Sequence, residues 1–342
     1  MNLLDKYREL KLKHSIEKVC RRADTLIPVN GSKPKVYVYQ PSYEKEGLMS
    51  IVCGVMGYLR YCLEHDLLLI VDMRSKKNSY LSDDEVGQVN SWDFFYRQPM
   101  CPDQSLDEIL AGPHYDNPER TVHGLHYDRY IDERVDLSKY KAKILFPQQK
   151  DYITNREQLR KDCALYKKYF HLSDEAKTYV DAEIVEILPK NEKVLAVVCR
   201  GTDYVQLKPY NHNIQPAPHE ILKKTVSFLQ EHREYKYVYI ATETQYAVDL
   251  FKKKLTPMGV RVLVNKRVYF DQYDFKDAFL SDIKMERERD EYRRGMEYFS
   301  SIHIVSRCDS LIAGLCGGSQ MALIMNDFQY ENVYLFDIGV YR

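Results

Sequence analysis

The sequence is short of the features that mark several protein classes. It has one Trp, 14 Gly and 13 Pro in 342 residues, too little Gly and Pro for a collagen-like or low-complexity chain. It has no excess of charge of either sign. Lys plus Arg number 50 and Asp plus Glu number 50, so no global basic field exists to gather DNA or RNA, and no nucleic-acid partner is expected. No apolar run approaches the ~18 residues that a membrane-spanning helix needs; the longest lie around Leu67 to Val71 and Val194 to Val198. Met1 to Ile27 intersperses Leu with Lys, Arg and Glu, so it lacks the continuous apolar core of a signal peptide. It reads as an amphipathic or surface helix, and its Lys and Arg give a faint signal for peripheral contact with an anionic membrane. The eight Cys contain no CxxC pair, which fits reduced thiols and a cytoplasmic setting better than a disulfide frame or a zinc site.

Chemical signatures are missing as well. There is no Walker A pattern, no GxGxxG after a strand, no HExxH and no DxD triplet. These absences count against a P-loop NTPase, a dinucleotide oxidoreductase, a zincin and a metal-dependent transferase of the single-Rossmann kind. What remains is an ordinary globular composition, 44% hydrophobic and 29% charged, and a length that predicts about two domains. The 29 Tyr suit wet, sugar-lined clefts as well as half-buried packing, since each ring offers a flat apolar face and a polar tip.

The order of elements is α/β. Lys35 to Tyr39 reads as a strand, and Leu48, Ile51, Val52, Val55, Met56, Leu59 and Cys62 follow at helical spacing before a second strand at Leu67 to Val71. This is a βαβ unit, hence a parallel sheet with a right-handed crossover. From Ser75 to about Lys150 the pattern dissolves into polar turns, Pro, Tyr and His, read as long loops. A charged helix near Asp174 to Leu188 leads to Pro189-Lys190-Asn191-Glu192, a linker that predicts domains 1–189 and 190–342. The second half repeats the alternation. Strands are predicted at Val194 to Val198, Tyr237 to Ala241, Val260 to Val264 and Ser310 to Ala313. Helices are predicted around Ile221 to Leu229, Ala247 to Leu255, Glu297 to Val305 and on to Met325. The run Lys284 to Arg294 mixes both signs and reads as a solvated helix face, with Arg287, Arg289 and Arg293 as outside candidates for a cleft.

Three strand ends in this half carry polar loops, and carboxyl ends of strands are where open α/β sheets bind ligands. Arg200 and Asp203, flanking Gly201 and Thr202, follow the first strand. They read either as a diphosphate clamp with its orienting carboxylate or as an ion pair closing the sheet edge. Thr242 and Glu243 follow the second; Glu243 could accept from a guanine or a ribose, or serve as a helix cap and first-turn acid. Gly317, Gly318, Ser319 and Gln320 form the third, read as an anion site with Ser319 at a helix start, or as a plain turn with a Ser cap. His114, His123 and His126 with Asp116 and Asp128 raise a metal site, which their loop setting disfavours; no metal and no cofactor is expected.

In order and spacing these three segments, Cys199-Arg200-Gly201-Thr202-Asp203, Ile240-Ala241-Thr242-Glu243 and Gly317-Gly318-Ser319-Gln320, resemble the motifs of the α-1,6-/O-fucosyltransferase superfamily. The resemblance covers mainly residues 194 to 326. It implies a metal-independent, inverting transferase of the GT-B fold, with two Rossmann-like domains facing across a cleft and GDP-fucose held by the C-terminal one. By position, Arg200 matches the Arg that binds the donor β-phosphate and Asp203 the acid that supports it. Thr242 and Glu243 match the residues near the guanosine, and Ser319 and Gln320 the pair at the phosphate-binding helix. The sequence also departs from the pattern. Val198 stands where the family has His, Gly201 where it has a second Arg, and Lys208 near the place of its catalytic carboxylate. The general base is therefore open among Asp203, His212 and Glu243. The implied partners are a nucleotide sugar and a glycan or glycolipid acceptor. A transferase for a different nucleotide sugar, or a binding protein without catalysis, are the alternatives.

Overall fold

The structure, a computed structural model, describes residues 7, 10, 14, 35–41, 44–65, 67–111, 121–125, 156–200, 203–210, 212–270 and 283–342. The chain divides into two compact units, Met1–Glu175 and Ala176–Arg342. The division falls at the start of a helix, Asp174–Ile187, whereas the linker read from Pro189 to Glu192 follows that helix. Of the segment read as an N-terminal helix, Tyr7, Leu10 and His14 are helical and exposed, and the rest lies outside the described residues.

The first unit contains β1 (Lys35–Gln40), α1 (Leu48–His65), β2 (Leu67–Val71), a 3-10 turn at Ser91–Phe94, α2 (Leu106–Ala111), β3 (Thr121–Leu125) and α3 (Arg156–Tyr169). Its sheet has the order β2-β1-β3, with both pairings parallel, as the βαβ reading predicts. The apolar stripe of α1 is buried from Leu48 to Leu63. Gly54 lets the helix approach the sheet: a Cβ there would meet the Tyr39 hydroxyl at 2.8 Å. Tyr37, Tyr39 and Tyr96 are fully buried, so these tyrosines serve packing rather than a cleft. The region read as loops contains a strand: β3 pairs in register with β1, His123 opposite Val38. Its Thr-Val-His-Gly-Leu sequence carries no strand periodicity, and pairing against a central strand fixes it instead.

The second unit begins with α4 (Asp174–Ile187), then β4 (Val194–Val198), α5 (Asp203–Leu207), α6 (Pro218–Glu231), β5 (Tyr237–Ala241), α7 (Gln245–Leu255), β6 (Arg261–Leu263), α8 (Asp290–Ser306), β7 (Ser310–Gly314), α9 (Gly317–Met325) and β8 (Asn332–Phe336). The five strands are parallel in the order β6-β5-β4-β7-β8. β4 and β7 are buried along their whole length, as central strands of a covered parallel sheet must be. Leu195 and Val197 of β4 join Ile221 and Phe228 of α6 and Phe251 and Leu255 of α7 in one core. On the other side α8 packs against β4, β5 and α9.

The amino edge of this sheet is stitched by polar groups. Val194 N–H donates to Asp309 Oδ2 at 2.8 Å, the Asp309 amide donates to the Val194 carbonyl at 2.9 Å, and Tyr235 donates to Glu331 at 2.9 Å. The Lys284 to Arg294 run is a correction to the sequence reading. Arg287 and Asp290 pair at 2.7 Å with side chains only 16% and 6% exposed, so this part of the run is an internal ion network rather than a solvated face.

Candidate functional site

In the second unit the chain winds from β4 to β5 and β6 on one side, then crosses back to place β7 and β8 on the other. Such a reversal leaves a crevice at the carboxyl ends of the strands flanking it. β4 is extended past its end by the Cys199 amide, which donates to the Ala241 carbonyl at 2.9 Å, and Arg200 comes next. Its guanidinium lies 4.0 Å above the ring centroid of Tyr204, a cation–π contact. His212 meets the same ring edge-on at 5.2 Å. Burial, and then the neighbouring Arg200 charge, hold the His212 imidazole below the usual histidine range, so the ring is neutral at pH 7.

The end of β5 is built differently from its alternative reading. Thr244, not Thr242 or Glu243, caps α7 by accepting from the Ala247 amide. Glu243 stands one residue before the cap, 8% exposed, with its carbonyl accepting from Phe270 N–H at 2.9 Å. Its carboxylate therefore does not cap α7. Thr242 is buried and its hydroxyl accepts from the Thr244 amide at 3.4 Å.

At the end of β7, Cys316 rather than Ser319 is the N-cap of α9. Ser319 is the third helical residue, and its hydroxyl accepts from Cys316 N–H at 3.1 Å and lies 2.7 Å from the Gly314 carbonyl. It orders the turn from within; Ser319 and Gln320 are both buried. The first-turn amides of Gly317 and Gly318 have no intrahelical acceptor, as at any helix start, and point where an anion would be favoured. Gly318 is required for packing: a Cβ would meet Tyr298 Oη at 2.8 Å and Ile302 Cδ1 at 3.0 Å.

These three ends converge. Val198, Arg200, Ala241, Glu243 and Cys316, with Tyr298, Ser301 and Ile302 from α8, line one small recess. A guanidinium, a carboxylate and a helix start in one recess can bind an anion and read a donor group beside it. Asp203 is the first residue of α5, while Gly201 and Thr202 lie outside the described residues, as do His114, His126, Asp116 and Asp128. Among the described residues no group of three or more His, Cys, Asp or Glu is placed to hold a metal, and no helix is long and apolar enough to cross a membrane. Sequence reasoning missed Tyr204, Tyr298, Ser301 and Cys316. The first adjoins the Arg200 motif and was within reach; the α8 residues enter only by tertiary packing.

The parallel sheets and helices of this chain match the GT-B fold of solved fucosyltransferase structures. The particular likenesses are to the crystal structure of POFUT1 in complex with GDP, at TM-score 0.53 and 14% identity over 90% of this chain and 100% of that one, and to POFUT1 in complex with GDP-fucose, at TM-score 0.52 and 12% identity with the same coverage. NodZ α-1,6-fucosyltransferase soaked with GDP-fucose gives TM-score 0.49 and 11% identity over 90% and 96%. No family model and no curated protein matches the sequence.

Proposed function

We propose that the protein is a glycosyltransferase that moves fucose from GDP-fucose to a hydroxyl of a glycan or glycolipid acceptor, with inversion and without a metal ion. The observation that carries this reading is the convergence of Arg200, Glu243 and the start of α9 on one recess at the carboxyl ends of parallel strands. The likeness to POFUT1 in complex with GDP and with GDP-fucose supports the donor class. In this scheme the acceptor oxygen forms a bond to the fucose anomeric carbon as the bond from that carbon to the β-phosphate oxygen breaks. The electron pair leaves with GDP, and Arg200 and the Gly317 and Gly318 amides stabilise the charge that a metal would otherwise balance. The acceptor proton goes to a base. His212 serves best among Asp203, His212 and Glu243, because it is held neutral beside Arg200 and so is ready to accept. Glu243 accepts from the guanine, and the protein works in the cytoplasm on an acceptor that can be reached from a membrane surface.

Isothermal titration with GDP, UDP, ADP and GDP-fucose, with EDTA present, tests this. Binding confined to GDP and GDP-fucose, and lost in Arg200→Ala, is expected. Preference for another nucleotide replaces the donor, and binding without slow donor hydrolysis favours a non-catalytic binding protein.

A further inference from the structure

The loop that carries His212 is held from two sides. On one, Gln215 donates its side-chain amide to the Leu315 carbonyl at 2.8 Å, just beyond β7. Gly314 leaves room for this crossing, since a Cβ would meet Gln215 Oε1 and would stand 2.9 Å from Pro216 Cδ. On the other side, the chain beyond β8 turns back over the loop. Asn213 and Val340 form an isolated antiparallel bridge. Ile214 N–H donates to the Gly339 carbonyl at 2.9 Å, and Tyr341 N–H donates to the His212 carbonyl at 2.9 Å. Gly339 adopts φ +95°, a left-handed conformation that costs glycine little and other residues much.

The sheet does not require this pairing. β8 ends at Phe336, its ladder with β7 is complete at Gly314 and Phe336, and Gly339 and Val340 lie outside the buried core. What the pairing fixes is the backbone of His212 to Ile214, and through it the ring of His212 against Tyr204, on whose face Arg200 rests.

Resting on the reading of Arg200 as the diphosphate ligand and His212 as the base, we propose that Gly339 and Tyr341 are positioning residues. They form a backbone strap that holds His212 on Tyr204 and keeps Arg200 aimed for the diphosphate. The relevant interaction is main-chain, so its removal requires proline rather than side-chain truncation.

The test compares the unsubstituted protein with Tyr341→Pro, which deletes the donor to His212, and Tyr341→Phe, which keeps it. The first readout is the titration of His212, followed by NMR of histidine-labelled protein and assigned with His212→Gln. The second is GDP affinity. In Tyr341→Pro the His212 titration moves up toward the ordinary histidine range, and GDP binding weakens about tenfold, the equivalent of one ordering hydrogen bond. Tyr341→Phe restores wild-type values of both. An unchanged His212 titration in folded Tyr341→Pro overturns the proposal. If that variant does not fold, Gly339→Ala, which strains the same turn, decides by the same readout. If the wild-type protein binds no GDP, the donor reading fails, while the His212 titration still reports on the strap.

Discussion

Arg287 grips Glu297 with both arms of its guanidinium, Nη1 to Oε1 at 2.6 Å and Nη2 to Oε2 at 3.1 Å. Its Nε donates to Asp290 at 2.7 Å, and Asp290 also takes Arg294 at 2.9 Å. Hydrogen bonding to Glu297, and then to Asp290, outweighs burial and raises the guanidinium's proton affinity above the usual arginine value. The segment before α8 is thus tied to the helix whose next turns supply Tyr298 and Ser301 to the recess.

Removing Arg287 leaves two mostly buried carboxylates without their shared cation. Arg287→Leu is expected to cost about 3 kcal/mol, the usual penalty for breaking a buried pair from one side. A denaturant melt reads this directly, and a loss below about 1 kcal/mol would show the network to be solvated in practice.

In the first unit, burial raises the Asp93 carboxyl to about 6, against hydrogen bonds from Asn90 and Gln98 that favour its ionised form. The folded state therefore binds this proton more tightly than the unfolded chain, whose Asp titrates near 3.8. The contribution is present below pH ~4 and is lost as pH rises to ~6, after which it is flat. Asp93→Asn should remove this slope from stability measured between pH 4 and 7, and should stabilise the protein at neutral pH by ~2 kcal/mol. An unchanged slope in the variant would contradict the assignment.

Asp72 runs the other way. Burial pushes its carboxyl up, but hydrogen bonds from the Ser75 hydroxyl, Gln40 and the amides of Arg74 and Ser75 outweigh it and leave the group below its ordinary 3.8. Its stabilisation is present above pH ~4 and lost as pH falls further. Asp72→Asn is expected to destabilise at pH 7 by roughly 1–2 kcal/mol, by an amount that shrinks as pH falls below ~4.

Gly318→Ala places a methyl against Tyr298 and Ile302, both of which line the recess. The side chains must shift into the space where a ligand would sit. We expect nucleotide binding to fall about tenfold or more, and stability to fall by about 1–3 kcal/mol because the added methyl overpacks a buried contact. Equal affinity in wild type and variant would move the ligand elsewhere.

Glu243→Gln keeps shape and removes charge. If the carboxylate accepts from a nucleobase, preference for GDP over ADP should drop roughly 10-fold, the worth of a charge-assisted hydrogen bond. Parallel losses for every nucleotide would instead assign Glu243 to the general electrostatics of the recess.

The strands that position the site were legible because they are short, dominantly apolar runs: Val194–Val198 and Ser310–Gly314 are buried throughout. The polar residues just past them, Arg200 and Glu243, stood out by contrast and do meet. Less legible was β8, which is only partly buried along its length and so mixes two patterns. The helix α3 hid because its buried stripe uses Leu159, Cys163 and Tyr166 among many charges. The Ser cap, one of two readings at the start of α9, is not formed: Cys316 holds the cap position, and the Ser319 hydroxyl turns inward. The strap over His212 has no local signature at all, since its bonds are between main-chain groups far apart in sequence.

A sheet with every strand running one way separates its duties by geography. Whatever the second unit offers to a ligand gathers at one rim, and the opposite rim, sewn by Asp309 to Val194 and by Glu331 to Tyr235, has only the shape of the domain to keep. Variation in that rim should be visible to heat and denaturant and invisible to a nucleotide, so the two ends of the same five strands are open to independent change.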